Sequence, residues 1–123
     1  MTIGEINVIV AAVQPYTMTD EIRIKGLIRE TERVILDSVP GDIVECGVWR
    51  GGSMMAVAMT AIHLGVIGRK LYLFDTFAGM TAPEPVDVDH LGRLALKPET
   101  GAYDSAGCTV SLSAVQAAMA STG

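Results

Sequence analysis

The 123-residue sequence predicts an α/β fold, the N-terminal part of a doubly wound, Rossmann-like domain with parallel strands and helices on both faces. Two observations predict it. A short apolar run, 42–46, is followed by three glycines within six residues and then by an apolar helix candidate. A second apolar run, 70–74, ends at Asp75. Strand, glycine turn, helix and strand in this order indicate parallel strands joined by a right-handed crossover.

Composition and charge exclude several classes of protein. Half of the residues are apolar, which is enough for a core and argues against disorder. A net charge of −5 and few aromatic residues argue against nucleic acid and against an anionic membrane surface. The N-terminus lacks a targeting signal, and Cys46 and Cys108 form no CxxC pair, so we expect two reduced thiols in a cytoplasmic protein.

The N-terminal region, 1–40, is predicted to be largely helical. Residues 1–14 alternate only weakly, and the pattern leaves helix and strand open for them. A helix is expected to follow, with Thr17 in a capping box or Thr19 as the N-cap one register later. Apolar residues then recur at helical spacing until Pro40-Gly41, where the helix is expected to end.

The central region, 41–75, contains the predicted strand, turn, helix and strand. The first strand is mostly apolar, as expected of a strand covered on both faces, and Cys46 at its end is interpreted as a small buried side chain. The helix is expected from Ser53 to Leu64, and its methionines are interpreted as core residues: Met54, Met55 and Met59.

The last two regions are a long loop, 76–108, and a helix within 109–123. A loop of this length in a compact domain is commonly a lid or a binding loop. The acids at 87–90 could bind a divalent ion, but solvated loop acids are the simpler interpretation, and no metal ligand is assigned. The final helix is predicted over 110–121, with Ser111 near its cap. Two parallel strands cannot cover their own faces, so we expect a single, partial domain that is truncated.

The charges around the glycine turn favour one class of cofactor. The spacing Gly47-x-x-x-Gly51-Gly52 is neither GxGxxG nor a P-loop, which disfavours a dinucleotide or a nucleotide phosphate. Glu45 before the turn would repel a pyrophosphate but suits a cation. Asp75 follows the last glycine of the turn by one helix and one strand, and an acid at this sequence spacing typically accepts hydrogen bonds from ribose hydroxyls. S-adenosylmethionine, with an ammonium, a sulfonium and an adenosine, satisfies both charges.

Three stretches then identify a family. The segments 17–19, 39–53 and 71–80 closely resemble the macrocin O-methyltransferase family, whose members methylate sugar hydroxyls on macrolide and aminocoumarin antibiotics. The resemblance runs from about Tyr16 to Gly123. It departs at Ala78, where the family usually has Glu.

The resemblance implies a cofactor site and a reaction. It places the methionine end of S-adenosylmethionine near the glycine turn, the ribose near Asp75, and residues 17–18 over the same pocket. The implied cofactor-binding residues are Thr17, Met18, Glu45, Cys46, Gly47, Trp49, Arg50, Gly51, Gly52, Ser53, Asp75, Thr76 and Phe77. It also implies Mg²⁺, with the metal ligands and the catalytic base on a later strand, expected beyond Gly123.

We therefore expect an S-adenosylmethionine-dependent O-methyltransferase acting on a sugar hydroxyl of a glycosylated natural product. The alternative is a truncated, catalytically inactive remnant that at most binds the cofactor, and a dinucleotide oxidoreductase is a third hypothesis. The expected partner is a small glycosylated acceptor, without nucleic acid or membrane. Exposed sheet edges would also favour a homo-oligomer.

Overall fold

The computed structural model describes residues 1–66, 68–81, 83–94 and 108–123. Four helices and two strands follow one another along these parts of the chain. They are α1 (Ile3–Val13), α2 (Glu21–Leu36), β1 (Ile43–Cys46), α3 (Gly52–His63), β2 (Leu71–Phe74) and α4 (Leu112–Ala120), with a single 3₁₀ turn at Gln14–Tyr16. None of the described helices has the length and hydropathy required of a membrane span.

The two strands form a parallel pair, as the sequence predicts. Ile43 pairs with Leu71 and Cys46 with Phe74, so both strands end at the same edge of the sheet. The turn after β1 and the segment after β2 therefore emerge side by side. This edge is where an open α/β sheet binds its ligands.

One face of this sheet is exposed, which corrects the expectation that the first strand is covered on both faces. Side chains alternate along each strand between half-buried and exposed. The exposed face carries Val44, Cys46, Tyr72 and Phe74, with Phe74 58% exposed. The rings of Tyr72 and Phe74 stack at 6.5 Å between centroids. Among the described helices, α3 contacts β2, and the face that carries these four side chains is left exposed.

The open choice at the N-terminus is settled as a helix. Thr2 and Glu5 form a reciprocal capping box, in which each side chain accepts from the other residue's backbone N–H. Ile6, Ile9 and Val13 then fall on one face of α1 and are buried. The weakly alternating residues at this end therefore belong to an amphipathic helix with a broad apolar face.

Both N-caps predicted for α2 are wrong. Asp20 is the N-cap, and its Oδ1 accepts from the backbone N–H of Arg23 at 2.9 Å. The Thr17 hydroxyl instead accepts from the N–H of Thr19 at 3.0 Å, which turns the chain just before the helix. The helix ends at Leu36, earlier than the predicted Pro40-Gly41.

Helix α3 lies at the centre of the described core, in contact with α1, α2, α4 and β2. Met54 and Met55 are 2% and 3% exposed, so their assignment to the core is confirmed. The core cluster comprises Ile6, Ile9, Val10, Val13, Ile24, Ile28, Met55, Ala56 and Ala118. Since α3 begins at the turn after β1, this packing fixes the turn against the rest of the domain.

The C-terminal helix agrees with its prediction, and the loop before it is described in part. Ser111 caps α4 and accepts from the N–H of Ala114. In the loop, Val88 and Leu94 form an isolated antiparallel bridge. Of the predicted lid, 76–108, residues 82 and 95–107 lie outside the described residues.

Candidate functional site

The turn between β1 and α3 is built from left-handed backbone. Gly47, Trp49 and Gly51 have φ of 85°, 50° and 89°. Glycine adopts this conformation at little cost, whereas a bulky side chain such as that of Trp49 rarely does. The N–H of Gly47 donates to the carbonyl of Phe74 at 2.8 Å, and the N–H of Gly51 donates to the carbonyl of Val48 at 2.9 Å. These bonds close a tight turn directly above the sheet edge.

Asp75, at the end of β2, accepts hydrogen bonds from that turn. Its Oδ2 accepts from the backbone N–H of Val48 at 2.7 Å and of Trp49 at 3.2 Å. Its Oδ1 accepts from the N–H of Phe77 at 3.0 Å and lies 3.4 Å from the Thr76 hydroxyl. The bonds from Phe77 and then Val48 hold the pKa of the carboxyl below its ordinary value. Asp75 is therefore ionised at neutral pH.

Glu45, at the end of β1, has an unsatisfied carboxylate oxygen. The side chain is half-buried, and its Oε2 is fully buried without a hydrogen-bond partner in the part of the chain that the structure describes. Burial raises the pKa of Glu45, the Ser53 hydroxyl lowers it, and the charge of Asp75 raises it further. A buried carboxylate oxygen without a partner costs free energy, and a cationic ligand would satisfy it.

A cavity of about 130 Å³ lies beside Glu45. It is lined by residues 16–19, by 47–49 of the turn, and by Gly52 and Ser53 at the start of α3. Helix α3 has no side chain capping its N-terminus. Its first N–H groups thus add partial positive charge to the same cavity that Glu45 lines. The cavity combines a fixed anion with a helix N-terminus.

Gly52 lets the segment before α2 approach this cavity. A Cβ at Gly52 would lie 2.6 Å from the carbonyl oxygen of Tyr16 and 2.8 Å from the Cβ of Thr17. Both contacts are closer than real Cβ atoms tolerate, so only glycine fits. The guanidinium of Arg50 adds a tether, stacked 4.9 Å from the Trp49 ring and 3.5 Å from the Pro15 carbonyl. These contacts make residues 16–19 one wall of the site.

A second, wider depression of about 470 Å³ adjoins the first at Gly47. Its lining includes Asp75, Thr76 and Gly79. The Thr76 hydroxyl donates to the carbonyl of Gly79 at 2.8 Å, which curls the chain after β2 around the depression. Because both hollows include Gly47, an elongated ligand could occupy the two together.

The structure brings most of the predicted site residues to these two hollows. Those that line them are Thr17, Met18, Glu45, Gly47, Trp49, Gly52, Ser53, Asp75 and Thr76. Arg50, Gly51 and Phe77 border the turns without lining either hollow, and the Gly51 backbone faces Val115 of α4. Whether any of them binds a cofactor stays a prediction.

Cys46 departs from its prediction. It is exposed, whereas the sequence analysis interpreted it as buried. The alternation of β1 places Glu45 on the half-buried face and Cys46 on the uncovered one. Its thiol therefore lies on the face of the sheet away from the helices, and it lines neither hollow.

Sequence reasoning missed several lining residues. Tyr16, Thr19 and Val48 line the smaller cavity, and Gly79, Met80 and Thr81 line the wider one. The glycine at 79 in the stretch after Asp75 was an available signal for a turn at the strand end. Tyr16 and Thr19 carry no such signal, because only the close approach at Gly52 brings them in.

Another cavity, of about 310 Å³, lies between α1 and α3, away from the strand ends. Its lining is mainly apolar, with Glu5 and His63 in contact at 3.4 Å. The described residues contain no group of three or more His, Cys, Asp or Glu side chains that could hold a metal ion. The strand-end hollows thus carry the stronger chemical signal, through the unpaired oxygen of Glu45.

Comparison with known proteins finds O-methyltransferases among the relatives of this chain. The 8-demethyl-8-(2,3-dimethoxy-alpha-L-rhamnosyl)-tetracenomycin-C 4'-O-methyltransferase of Streptomyces olivaceus is 40% identical over 65 residues, 53% of this chain and 25% of that protein. The mycinamicin III 3''-O-methyltransferase of Micromonospora griseorubida is 35% identical over 75 residues, 61% of this chain and 29% of that protein. The demethyldecarbamoylnovobiocin O-methyltransferase of Streptomyces niveus is 35% identical over 65 residues, 53% of this chain and 25% of that protein.

The matched segments thus span between a quarter and three-tenths of the length of these relatives. The solved structure of the O-methyltransferase NovP superposes with a TM-score of 0.66 at 26% identity, over 86% of this chain and 42% of that one. This likeness confirms the predicted Rossmann-like α/β fold class. A profile of the macrocin-O-methyltransferase (TylF) family matches residues 11–119, and the chain belongs to that family.

Proposed function

We propose that this chain binds S-adenosylmethionine at the carboxyl ends of β1 and β2 and serves the transfer of its methyl group to a sugar hydroxyl. One observation carries the proposal. The carboxylate of Glu45, whose buried Oε2 has no partner among the described residues, lines the same cavity as Gly52 and Ser53 at the uncapped N-terminus of α3. An amino-acid zwitterion matches both charges, with its ammonium at Glu45 and its carboxylate at α3.

The dimensions of the two hollows support the same ligand. The smaller cavity, about 130 Å³, has room for about four waters at the liquid volume of about 30 Å³ each, which suits an amino-acid head group. The wider depression, about 470 Å³, suits the nucleoside that extends from it. Thr76 and the backbone at Gly47 would border the ribose.

When bound, S-adenosylmethionine supplies an electrophilic methyl on a sulfonium. The chain's own residues would fix the two ends of the ligand and so aim that methyl at the acceptor. Positioning of this kind lowers the barrier to an in-line transfer because the reacting atoms are held about 3–3.5 Å apart. In the transfer the acceptor oxygen would gain the methyl group and lose its proton to an unassigned base, with S-adenosylhomocysteine, a neutral thioether, as the second product.

The acceptor class comes from the relatives. Their names specify methylation on a rhamnosylated tetracenomycin, on mycinamicin III and on a novobiocin precursor. We therefore propose a hydroxyl on the sugar of a glycosylated natural product as the acceptor. Within the described residues no group of three or more His, Cys, Asp or Glu side chains could hold the Mg²⁺ that the family resemblance implies.

A second candidate function is binding of the cofactor without catalysis. One observation favours it. Among the described residues, the titratable groups that line the two hollows are the carboxylates of Glu45 and Asp75 and the phenol of Tyr16. Glu45 is assigned to the ligand's ammonium and Asp75 is bonded to backbone N–H groups, so neither is placed to take a proton from an acceptor.

Titration of the purified chain with S-adenosylhomocysteine tests the proposal. Trp49 is the only tryptophan and lines the smaller cavity, so its fluorescence reports binding there. We expect saturable binding, confirmed by calorimetry. Absence of binding by a chain that unfolds cooperatively refutes the cofactor assignment. Binding without methyl transfer to any glycosylated acceptor, with and without Mg²⁺, supports the second candidate.

A further inference from the structure

The carboxylate of Asp75 is already occupied by the protein's own donors. An ionised carboxylate offers about four acceptor positions. Three backbone N–H groups, from Val48, Trp49 and Phe77, take up three of them, and the Thr76 hydroxyl, 3.4 Å from Oδ1, donates its one proton to a backbone carbonyl instead. An acceptor in this state has little capacity left for two ribose hydroxyls.

Two of those donors belong to the non-glycine residues with strained backbone near the site. Trp49 and Phe77 have φ of +50° and +52°. Each sends its N–H to a different oxygen of Asp75, at 3.2 Å for Trp49 and 3.0 Å for Phe77. Strained conformations of this kind persist when the surroundings fix them, and they concentrate at functional sites. The carboxylate is the common partner of both turns.

Resting on the proposed function, we infer that Asp75 is a positioning residue: it clamps the turn after β1 to the turn after β2, and does not itself hydrogen-bond the ribose. The turn after β1 lines the smaller hollow through 47–49, and the turn after β2 lines the wider one through Thr76 and Gly79. The clamp therefore fixes the distance between the amino-acid end and the nucleoside end of the ligand. Its effect on affinity passes through the backbone.

Asp75→Asn breaks the clamp without changing the side chain's size. The amide has one acceptor oxygen, and its NH₂ group would face an N–H donor, so one of the two turns loses its bond. Asp42→Asn is the matched control. Asp42 accepts from the N–H of Lys70 at 3.0 Å at the opposite end of the same sheet, where no proposed ligand lies. Both variants remove a carboxylate that caps backbone at a strand end.

The test compares the affinities of two ligands for three chains, measured by calorimetry. S-adenosylhomocysteine and its 2′,3′-dideoxy analogue are titrated into the wild-type chain, Asp75→Asn and Asp42→Asn. We expect the wild type to bind the two ligands within about threefold of each other. We expect Asp75→Asn to weaken both by the same factor, about tenfold or more, as for loss of a bond to a charged group. Asp42→Asn should bind both as the wild type does.

Two outcomes overturn the inference. The first is a loss of more than about threefold for the analogue in the wild type, because Asp75 supplies the carboxylate among the described residues that line the wider hollow. The second is unchanged affinity of Asp75→Asn for both ligands. If Asp75→Asn does not fold, the wild-type comparison still decides.

Failure of the proposed function gives a different result, in which the wild type binds neither ligand. The clamp is then judged on Trp49, whose N–H is one of its bonds. Asp75→Asn should change the emission and quenching of Trp49 in the free chain, and Asp42→Asn should not. Identical Trp49 spectra in all three chains would overturn the clamp.

Discussion

Replacing Glu45 by Gln should weaken binding of S-adenosylhomocysteine and at the same time stabilise the free chain. The substitution keeps the shape of the side chain and removes its charge. The free chain gains because the buried Oε2 no longer carries unpaired charge among the described residues. The complex loses because the ligand's ammonium no longer meets a carboxylate. Opposite signs for stability and affinity are the signature of a binding group.

The size of the affinity loss follows from the burial of Glu45. A hydrogen bond to a charged group contributes about 1.5–3 kcal/mol, and an exposed ion pair about 1 kcal/mol or less. Glu45 is half-buried with one fully buried oxygen, so its contact with the ammonium should contribute more than an exposed ion pair. We take about 2 kcal/mol for this contact, from the lower half of the range for hydrogen bonds to charged groups. At 1.4 kcal/mol for each factor of ten, Kd should rise about 30-fold.

The assay compares Kd for two ligands in two variants. S-adenosylhomocysteine carries the ammonium, and 5′-methylthioadenosine lacks the amino-acid end. Glu45→Gln should affect only the first ligand. Glu30→Gln is the matched control, because Glu30 is exposed on α2 and pairs with Arg33. If Glu45→Gln binds S-adenosylhomocysteine as tightly as the wild type, or loses both ligands equally, Glu45 does not hold the ammonium.

Three further predictions concern pH, packing and exposure. The pKa of Glu45 is raised in the folded chain, so its ionisation destabilises the fold as pH rises above the ordinary value of 4.5. Glu45→Gln should therefore have a higher urea midpoint than the wild type at neutral pH, and the two midpoints should converge near pH 4. A difference between the midpoints that does not change with pH contradicts this prediction. Gly52→Ala should cost about 1–3 kcal/mol and weaken ligand binding, because its Cβ meets backbone atoms of Tyr16. Gly26→Ala, in open space on α2, should instead raise stability by about 0.5–1 kcal/mol; equal midpoints for the two variants would refute the close approach. Cys46 should react with a thiol reagent at the rate of an exposed thiol in the folded chain, and protection until global unfolding would show that its face of the sheet is covered.

Local sequence determined the elements on which the site stands. Three glycines between an apolar run and an apolar helix predict the turn, because left-handed backbone at Gly47 and Gly51 needs them. The acid at each strand end predicts charged groups at one sheet edge, because parallel strands finish together. The spacing of these glycines and acids along the chain depends only on residues close in sequence, so it can be read without knowledge of the tertiary structure.

Two predictions made from neighbouring residues alone were wrong: the boundaries of α2 and the burial of Cys46. Thr17, Thr19 and Asp20 are all acceptable N-caps by residue type, and Asp20 is the one that caps α2 in the structure. Cys46 follows Glu45 directly, and period-two alternation sends the two side chains to opposite faces. Which face is covered is decided by helices distant in sequence.

The sequence by itself determined the class of fold, the position of the glycine turn and the two acids that flank it. Only the tertiary structure decided what those acids do. Glu45 lines a cavity and keeps one oxygen without a partner among the described residues, whereas Asp75 accepts from the N–H groups of Val48 and Phe77. The two acids look alike in the sequence because each ends an apolar strand. They differ in the fold because hydrogen-bond partners are set by distances across the sheet edge.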